Sequence, residues 1–490
     1  MTSVVNAQPQ GWSEDIRLTL NAARSQTPAI AVEGNEIHVV YADNEGGKYL
    51  DMFLWYINSS DSGNTWNLPI CLVNSPSISI LSPKIAVNGS NIHVIWLEYN
   101  SKTIYYIRSL DNGKVWSTEV ALTSDVYPDQ INWDIGVYEN NLHIVFVNEN
   151  YKLSYIQSND NGVTWSIPKV LVPSIDRVIE SAIEVSGNNI HIAFRATRER
   201  MGKRVGDILY IRSIESGINW DGEVEISFIP GVNTSCSFPD IAVAKNDIFI
   251  VYRDYGPGRR QIYYSHSADN GVTWEKGIKL SNSTQAVVVP AIAAENNNVC
   301  AVWEDDRAPG GSWELFFKSS YDRGNTWGDD TRLTIAPETS DSPDIVINEN
   351  TVHIVWSDRR DGNREIYYKS MLLPSSLISA IVDIKPDTLN LKSKGRWITA
   401  YIELPYNYTV FDIDISTILL ENTIPVENHP TEIGDYDSDG IIELMVKFDR
   451  ADVEDHIGIP MNSKTLTITG EMVTNESFKG NDIVRIILHS

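Results

Sequence analysis

The 490-residue chain has little cysteine, few basic residues and no long apolar run. Cys71, Cys236 and Cys300 are odd in number and far apart, which excludes a disulfide framework and a CxxC metal or redox motif. No stretch approaches the roughly 20 apolar residues of a membrane helix, so we expect a soluble protein without a transmembrane segment. Lys and Arg number 39 against 65 Asp and Glu, and the net charge of -26 disfavours a nucleic-acid partner. The opening "MTSVVNAQPQG" lacks the basic start and apolar stretch of a signal peptide, which points to a cytoplasmic protein or to numbering that begins after processing.

Aromatics are plentiful: 14 Trp and 22 Tyr supply a large core in a polar chain. Many of them sit in a repeat. Six octets align, "SSDSGNTW" (59–66), "SLDNGKVW" (109–116), "SNDNGVTW" (158–165), "SIESGINW" (213–220), "SADNGVTW" (267–274) and "SYDRGNTW" (320–327). Each reads as a turn. The carboxylate of Asp61, Asp111, Asp160, Asp269 or Asp322 accepts backbone N–H bonds, the Gly takes positive φ, and the Trp is buried. Glu215 departs from the pattern and predicts a looser turn.

A spacing of about fifty residues is that of β-propeller blades. Before each octet come an inner strand of "PAIAV" type, a second of "EIHVVY" type and a third of "IYYIRS" type, alternating as half-buried antiparallel strands should. The inner and second strands occur seven times. The seventh set, ending near 371, has no octet and no fourth strand, whereas "GWSEDIRLTL" at 11–20 repeats the stretch "TWGDDTRLTI" (326–335) that follows the sixth octet. We therefore expect an all-β fold: a seven-bladed propeller over 11–372, closed by its N-terminal strand, then a linker at 373–381 and a small β-sandwich over 382–490.

The octets resemble the Asp box of the sialidase-like, BNR-repeat propellers. From "VDIKPDTLNLKSKGRWITAYIELP" (382–405) the chain reads as short strands to the end, with "DYDSDGIIE" at 435–443, and resembles a calcium-loop β-sandwich module of secreted archaeal and bacterial proteins. The second resemblance implies an extracellular or cell-surface setting. Sialidase activity would further require an Arg-Ile-Pro motif in the first blade, which this sequence lacks, and sialidases have six blades.

"DYDSDGIIE" (435–443) alternates oxygen donors as a hard cation requires, Asp435, Asp437 and Asp439 by side chain, Ile441 by carbonyl and Glu443 closing the set, so we expect a structural calcium here, the alternative being an Asp-rich hairpin turn. His38, His93, His143, His191 and His353 share one register of the second strand, which marks a packing position and not a metal site.

The loops joining second and third strands, on the face opposite the octets, hold eleven of the 21 arginines, all in blades 4 to 7: Arg195, Arg198, Arg200, Arg204, Arg253, Arg259, Arg260, Arg307, Arg359, Arg360 and Arg364. Guanidinium forks suit carboxylate or sulfate, so Arg195, Arg198, Arg253, Arg259, Arg307, Arg359 and Arg360 are candidate ligands for an acidic glycan. The alternative is pairing with the acids beside them. Asp254, Asp305 and Asp358 are candidate catalytic carboxylates. Three functions follow: a secreted or surface propeller binding glycan or a protein partner; a hydrolase or lyase on acidic polysaccharide; or a structural component of a cell envelope. Whether the chain is an enzyme stays open at the level of sequence.

Overall fold

The computed structural model describes residues 11–20, 24–44, 52–74, 79–128, 133–200, 202–227, 235–255, 260–308, 311–374, 378–405, 408–427, 431–457, 463–473 and 476–487. Two compact units divide the chain, Met1–Leu373 and Pro374–Ser490.

The described residues of the first unit form seven four-stranded antiparallel sheets. Blade 1 runs, from inner strand A to outer strand D, through Ser25–Glu33, Glu36–Asp43, Phe53–Ser59 and Ile70–Val73. Strand B is almost wholly buried in every blade because both its faces are covered by neighbouring blades. Each strand A packs against the next, and that of blade 7, Ser340–Asn348, packs against that of blade 1.

The outer strand of blade 7 is Ile16–Arg17, paired with Tyr367 and Tyr368. Its side chains repeat those of blade 6. Arg17 and Thr19 hold Glu365 as Arg332 and Thr334 hold Glu314, and Ile366 N donates to Thr19 Oγ1 at 2.9 Å as Leu315 N does to Thr334 Oγ1. Trp12 completes the match. In six seams a strand-C Tyr meets an octet Trp edge-on at 4.8–5.1 Å, among them Tyr56–Trp116 and Tyr368–Trp66. At the blade 6–7 seam, where blade 7 has no octet, Trp12 packs on Phe317 at 5.0 Å.

In each octet the Ser Oγ accepts the Gly N–H at 2.9–3.0 Å, and in five the Asp carboxylate accepts the N–H four residues on. The Thr164 hydroxyl, then the Thr164 N–H and the Ser158 hydroxyl, donate to Asp160 and hold its carboxyl at about 2. Glu215 is too long for that turn and instead accepts from Asn219 Nδ2. The Gly, at φ 78–85°, is required twice over, since a Cβ on Gly113 would lie 2.3 Å from Tyr56 Oη.

The five repeated histidines are buried, each with Nδ1 2.6–2.8 Å from a strand-C Tyr Oη. Burial lowers their pKa to about 3–4, so they are neutral packing groups.

Around the axis the strands A carry an unforeseen charge pattern. Asp134, Asp240 and Asp344 of blades 3, 5 and 7 each accept the N–H of an isoleucine on the following blade, Ile183, Ile292 and Ile30, at 2.8–3.0 Å. Blades 1, 4 and 6 have alanine at the same register, so six blades form three clasped pairs. The odd blade carries Lys84, 4.0 Å from Asp134. Burial drives Asp240 up to about 7 and Glu184, which feels Asp134 and Asp240, up to about 8.

In the second unit a four-stranded sheet, with Trp397–Glu403 and Glu443–Asp449 at its centre, and a six-stranded sheet enclose one apolar core that includes Ile402, Val446, Phe448, Ile468 and Phe478. Sequence reading anticipated strands alone here. The helix Arg450–Ile457 is an addition, its Val453 seated in the core and Arg450 bonded to Glu454.

Candidate functional site

The face opposite the octets is built by one repeated bond. In six blades a residue just after strand B or, in blade 4, within it donates its N–H to the carbonyl of the residue just before strand A. The six pairs, from Asn44–Arg24 through Thr197–Arg177 and Tyr255–Ser235 to Arg359–Thr339, span 2.8–3.4 Å, and in blade 3 Glu149 N–H reaches Asp125 O, well before strand A, at 2.6 Å. The BC loops are thereby tied down beside the entry to strand A, and residues from both line this face.

Most of the expected arginines are spent on that scaffold. Arg307 bridges Asp305 at 2.8 Å and Asp330 at 2.6 Å while lying 4.0 Å over the Phe316 ring. Arg360 bridges Asp358 and Asp15 at 2.6 and 2.7 Å over Tyr367, the equivalent arrangement one blade on. Arg364 pairs with Asp341, Arg195 with Glu180 and Arg198 with Glu225. Expecting Arg307 and Arg360 as ligand-binding groups is thus corrected: their forks are occupied by carboxylates that fix their own loops.

The expected catalytic carboxylates are corrected in the same way. Asp305 and Asp358 have no exposed surface. Asp305 accepts from Ser283 Oγ, Arg307 N and Arg307 Nε, and Asp358 from Ser340 Oγ, Trp356 Nε1, Arg360 N and an Arg360 guanidinium nitrogen. Neither oxygen pair reaches a ligand. Asp254 is 1% exposed and is enclosed in the same register. Arg259 lies outside the described residues.

What remains is concentrated at the seam of blades 4 and 5. Arg253, half-buried, donates Nε to Ser237 Oγ at 2.9 Å and lies 4.5 Å from the Phe238 ring and 5.2 Å from that of Tyr255, on whose ring Arg260 also stacks at 4.8 Å. Among the described residues no carboxylate lies within 4.0 Å of either guanidinium. Burial lowers the Arg253 pKa and the charges of Arg260 and Arg195 lower it further, against Tyr255 and Glu180. The seam carries surplus positive charge in a partly desolvated, aromatic setting. Exposed Arg359 is likewise without a carboxylate within 4.0 Å among the described residues.

A second group spans blades 6, 7 and 1. Glu304 is 8% exposed and accepts the Ser342 N–H at 2.8 Å. Burial, with the charge of Asp341 nearby, pushes its carboxyl up to about 8. Asp341 is paired with Arg364, which also donates to Gln26 at 3.2 Å. Attention to BC loops alone passes over Glu180, Ser237, Phe238 and Asp341, which enter from the start of strand A; the acidic and aromatic residues at those strand starts were the available signal.

In the second unit, ligand oxygens of Asp435, Asp437 and Asp439 all lie within 4.8 Å of one another. Asp435 and Asp439 also accept the Gly440 and Ile441 amides. Buried Glu443 accepts Tyr436 N at 2.8 Å and faces the same loop. Glu403, not anticipated, is raised by burial and by the field of Asp439, Asp437 and Glu443.

Fold and turns together are those of a β-propeller whose blades carry Asp-box turns. Residues 137–354 match the BNR repeat-like domain. Among solved structures, an ulvan lyase of a new polysaccharide lyase family is 11% identical, with 72% of this chain and 95% of that one covered at a TM-score of 0.50. A protein of unknown function from Dyadobacter fermentans is 14% identical over 75% of this chain and all of its own, at 0.49. Trypanosoma rangeli sialidase is 13% identical over 71% of this chain and 55% of its own, at 0.40. No curated protein sequence matches. None of the described helices is long and apolar enough to cross a membrane.

Proposed function

We propose that the face opposite the Asp boxes binds an anionic glycan at the cell exterior, with Arg253 as the anchor. One observation carries this reading: amid arginines neutralised by acids, Arg253 is held by a hydroxyl and flanked by two aromatic rings. A guanidinium so placed offers a free fork to carboxylate or sulfate, and rings beside it suit the apolar face of a sugar. The match to a BNR repeat-like domain and the fold shared with an ulvan lyase support a glycan as the ligand class. Calorimetric titration with uronate-rich, sulfated and neutral oligosaccharides tests it. Binding of an acidic member that weakens at least tenfold in Arg253→Ala is expected; equal binding of neutral and acidic glycans would sink the proposal.

A second reading rests on Glu304. With its carboxyl raised to about 8 it is a proton donor at neutral pH on the same face, beside the Asp341–Arg364 pair, as an enzyme on acidic polysaccharide requires. Release of reducing ends or unsaturated products from the same panel, abolished in Glu304→Gln, would establish turnover. A protein ligand or an envelope scaffold is the remaining alternative, favoured by self-association without glycan binding.

For the second unit we propose one structural calcium on Asp435, Asp437, Asp439, the Ile441 carbonyl and Glu443, with Glu403 near enough to reinforce its field. The ion would offset the mutual repulsion of these carboxylates.

A further inference from the structure

Six equivalent positions tie strand B or its loop to the residue before strand A, and two of them are arginines, Arg24 and Arg177. Arg177 lies outside the BC loops. Its carbonyl accepts Thr197 N–H at 2.8 Å, which fixes it beside the long blade 4 hairpin that carries Arg195. The guanidinium carbon stands 4.1 Å from the centroid of the Tyr151 ring, and that ring meets Tyr127 at 4.5 Å with a 48° tilt. Among the described residues no carboxylate lies within 4.0 Å of Arg177, and its Nε is enclosed without a hydrogen-bond partner. A half-buried cation stacked on a ring and without an acid partner among the described residues has charge available for a ligand.

Tyr151 supplies an independent sign. Its backbone sits at φ 57°, in the left-handed region, at the tip of the blade 3 BC turn; the same place in blade 2 holds Lys102 at φ 54°. Asn or Gly would adopt that conformation at less cost than an aromatic residue. A strained ring kept at a loop tip, next to a second ring and under an unpaired guanidinium, is an arrangement that folding alone does not call for.

Arg177 is three residues before Glu180, the partner of Arg195 and acceptor of the Phe238 N–H. Along an extended strand that is about 10 Å. Tyr127, Tyr151 and Arg177 at blades 3 and 4, and Phe238, Arg253 and Tyr255 on blade 5, place two ring-and-guanidinium groups on neighbouring blades. We propose that Tyr127, Tyr151 and Arg177 form a second subsite, which stacks on one sugar of an anionic oligosaccharide and takes its carboxylate or sulfate while Arg253 holds another. This rests on the reading of the face given above.

The test is a length series, from monosaccharide to hexasaccharide, of polyuronate and of sulfated galactan, titrated against the full chain and against Arg253→Ala, Arg177→Ala and Tyr151→Gly. Tyr151→Gly relieves the backbone strain, so its melting temperature should equal or exceed that of the unaltered protein, which separates binding from folding. Affinity of the unaltered protein should rise with length, and Arg177→Ala and Tyr151→Gly should each lose at least tenfold on the longer members while binding the monosaccharide normally. The two anion series then report which group the subsite takes. If Arg253→Ala weakens binding but the other two variants bind the longer members normally, the second subsite is overturned and the anchor stands. If the unaltered protein binds no member of either series, both are overturned.

Discussion

Replacing Glu184 by Gln should stabilise the propeller in mild alkali and leave it nearly unchanged in acid. Glu184 shares the axis with Asp134, Asp240, Asp344 and the cation Lys84; the inner strands of blades 1 and 6 contribute alanines at the clasp register. Burial opposes the charge of Lys84, but Asp134, Asp344 and Asp240 outweigh it and raise its pKa, so it stays protonated. The folded Glu184 carboxyl titrates at about 8, against 4.5 when unfolded. A raised acid binds its proton more tightly in the folded state, so stability is greatest below the unfolded value and falls as pH climbs from 4.5 to about 8. At about 1.4 kcal/mol per unit the full shift corresponds to roughly 4–5 kcal/mol. Asp134 and Asp240 titrate in the same field and Glu184 is only partly buried, so about 2 kcal/mol is the expected gain at pH 9. In a unit of this size that is roughly 2–4 °C in melting temperature. The assay is calorimetry of both proteins from pH 4.5 to pH 9. Any fixed cost of burying an amide cancels in the difference between the two ends. A Gln variant whose advantage fails to grow with pH would refute the reasoning.

Four further outcomes follow from the same geometry. Trp12→Ala should cost about 3–5 kcal/mol, the usual loss for a buried tryptophan, because it removes the ring that fills the octet position of blade 7; urea unfolding measures it. Asp358→Asn should lower stability by about 1–3 kcal/mol by weakening the bonds to Arg360, with glycan affinity unaltered, since the group is enclosed; a selective loss of binding would contradict its assignment to the loop scaffold. Chelation should lower the melting temperature of the second unit alone, and Asp437→Asn should abolish the response to added calcium. Any turnover that depends on Glu304 should fade as pH rises through about 8, where its proton is lost; a rate that rises across that range would exclude it as the acid.

Much of the architecture was written in local pattern. A turn needs its Ser, Asp and Gly at fixed spacing whatever surrounds it, and alternating strands declare themselves by period, so the octets, the three strands before each and the kinship of "GWSEDIRLTL" with "TWGDDTRLTI" are legible along the chain. The five histidines were rightly read as packing groups for the same reason. The axial Asp–Ala alternation was also present in the strand-A copies, but its sense depends on a neighbour one blade away. Tertiary structure alone decided which arginines are free. Arg307 and Arg360 look like Arg253 in sequence, each beside an aspartate, yet Asp330 and Asp15 arrive from distant strands to neutralise the first two, while Ser237, Phe238 and Tyr255 surround the third. Charge pairing depends on separations of a few ångströms across seams between blades, and the order of residues along the chain does not specify them.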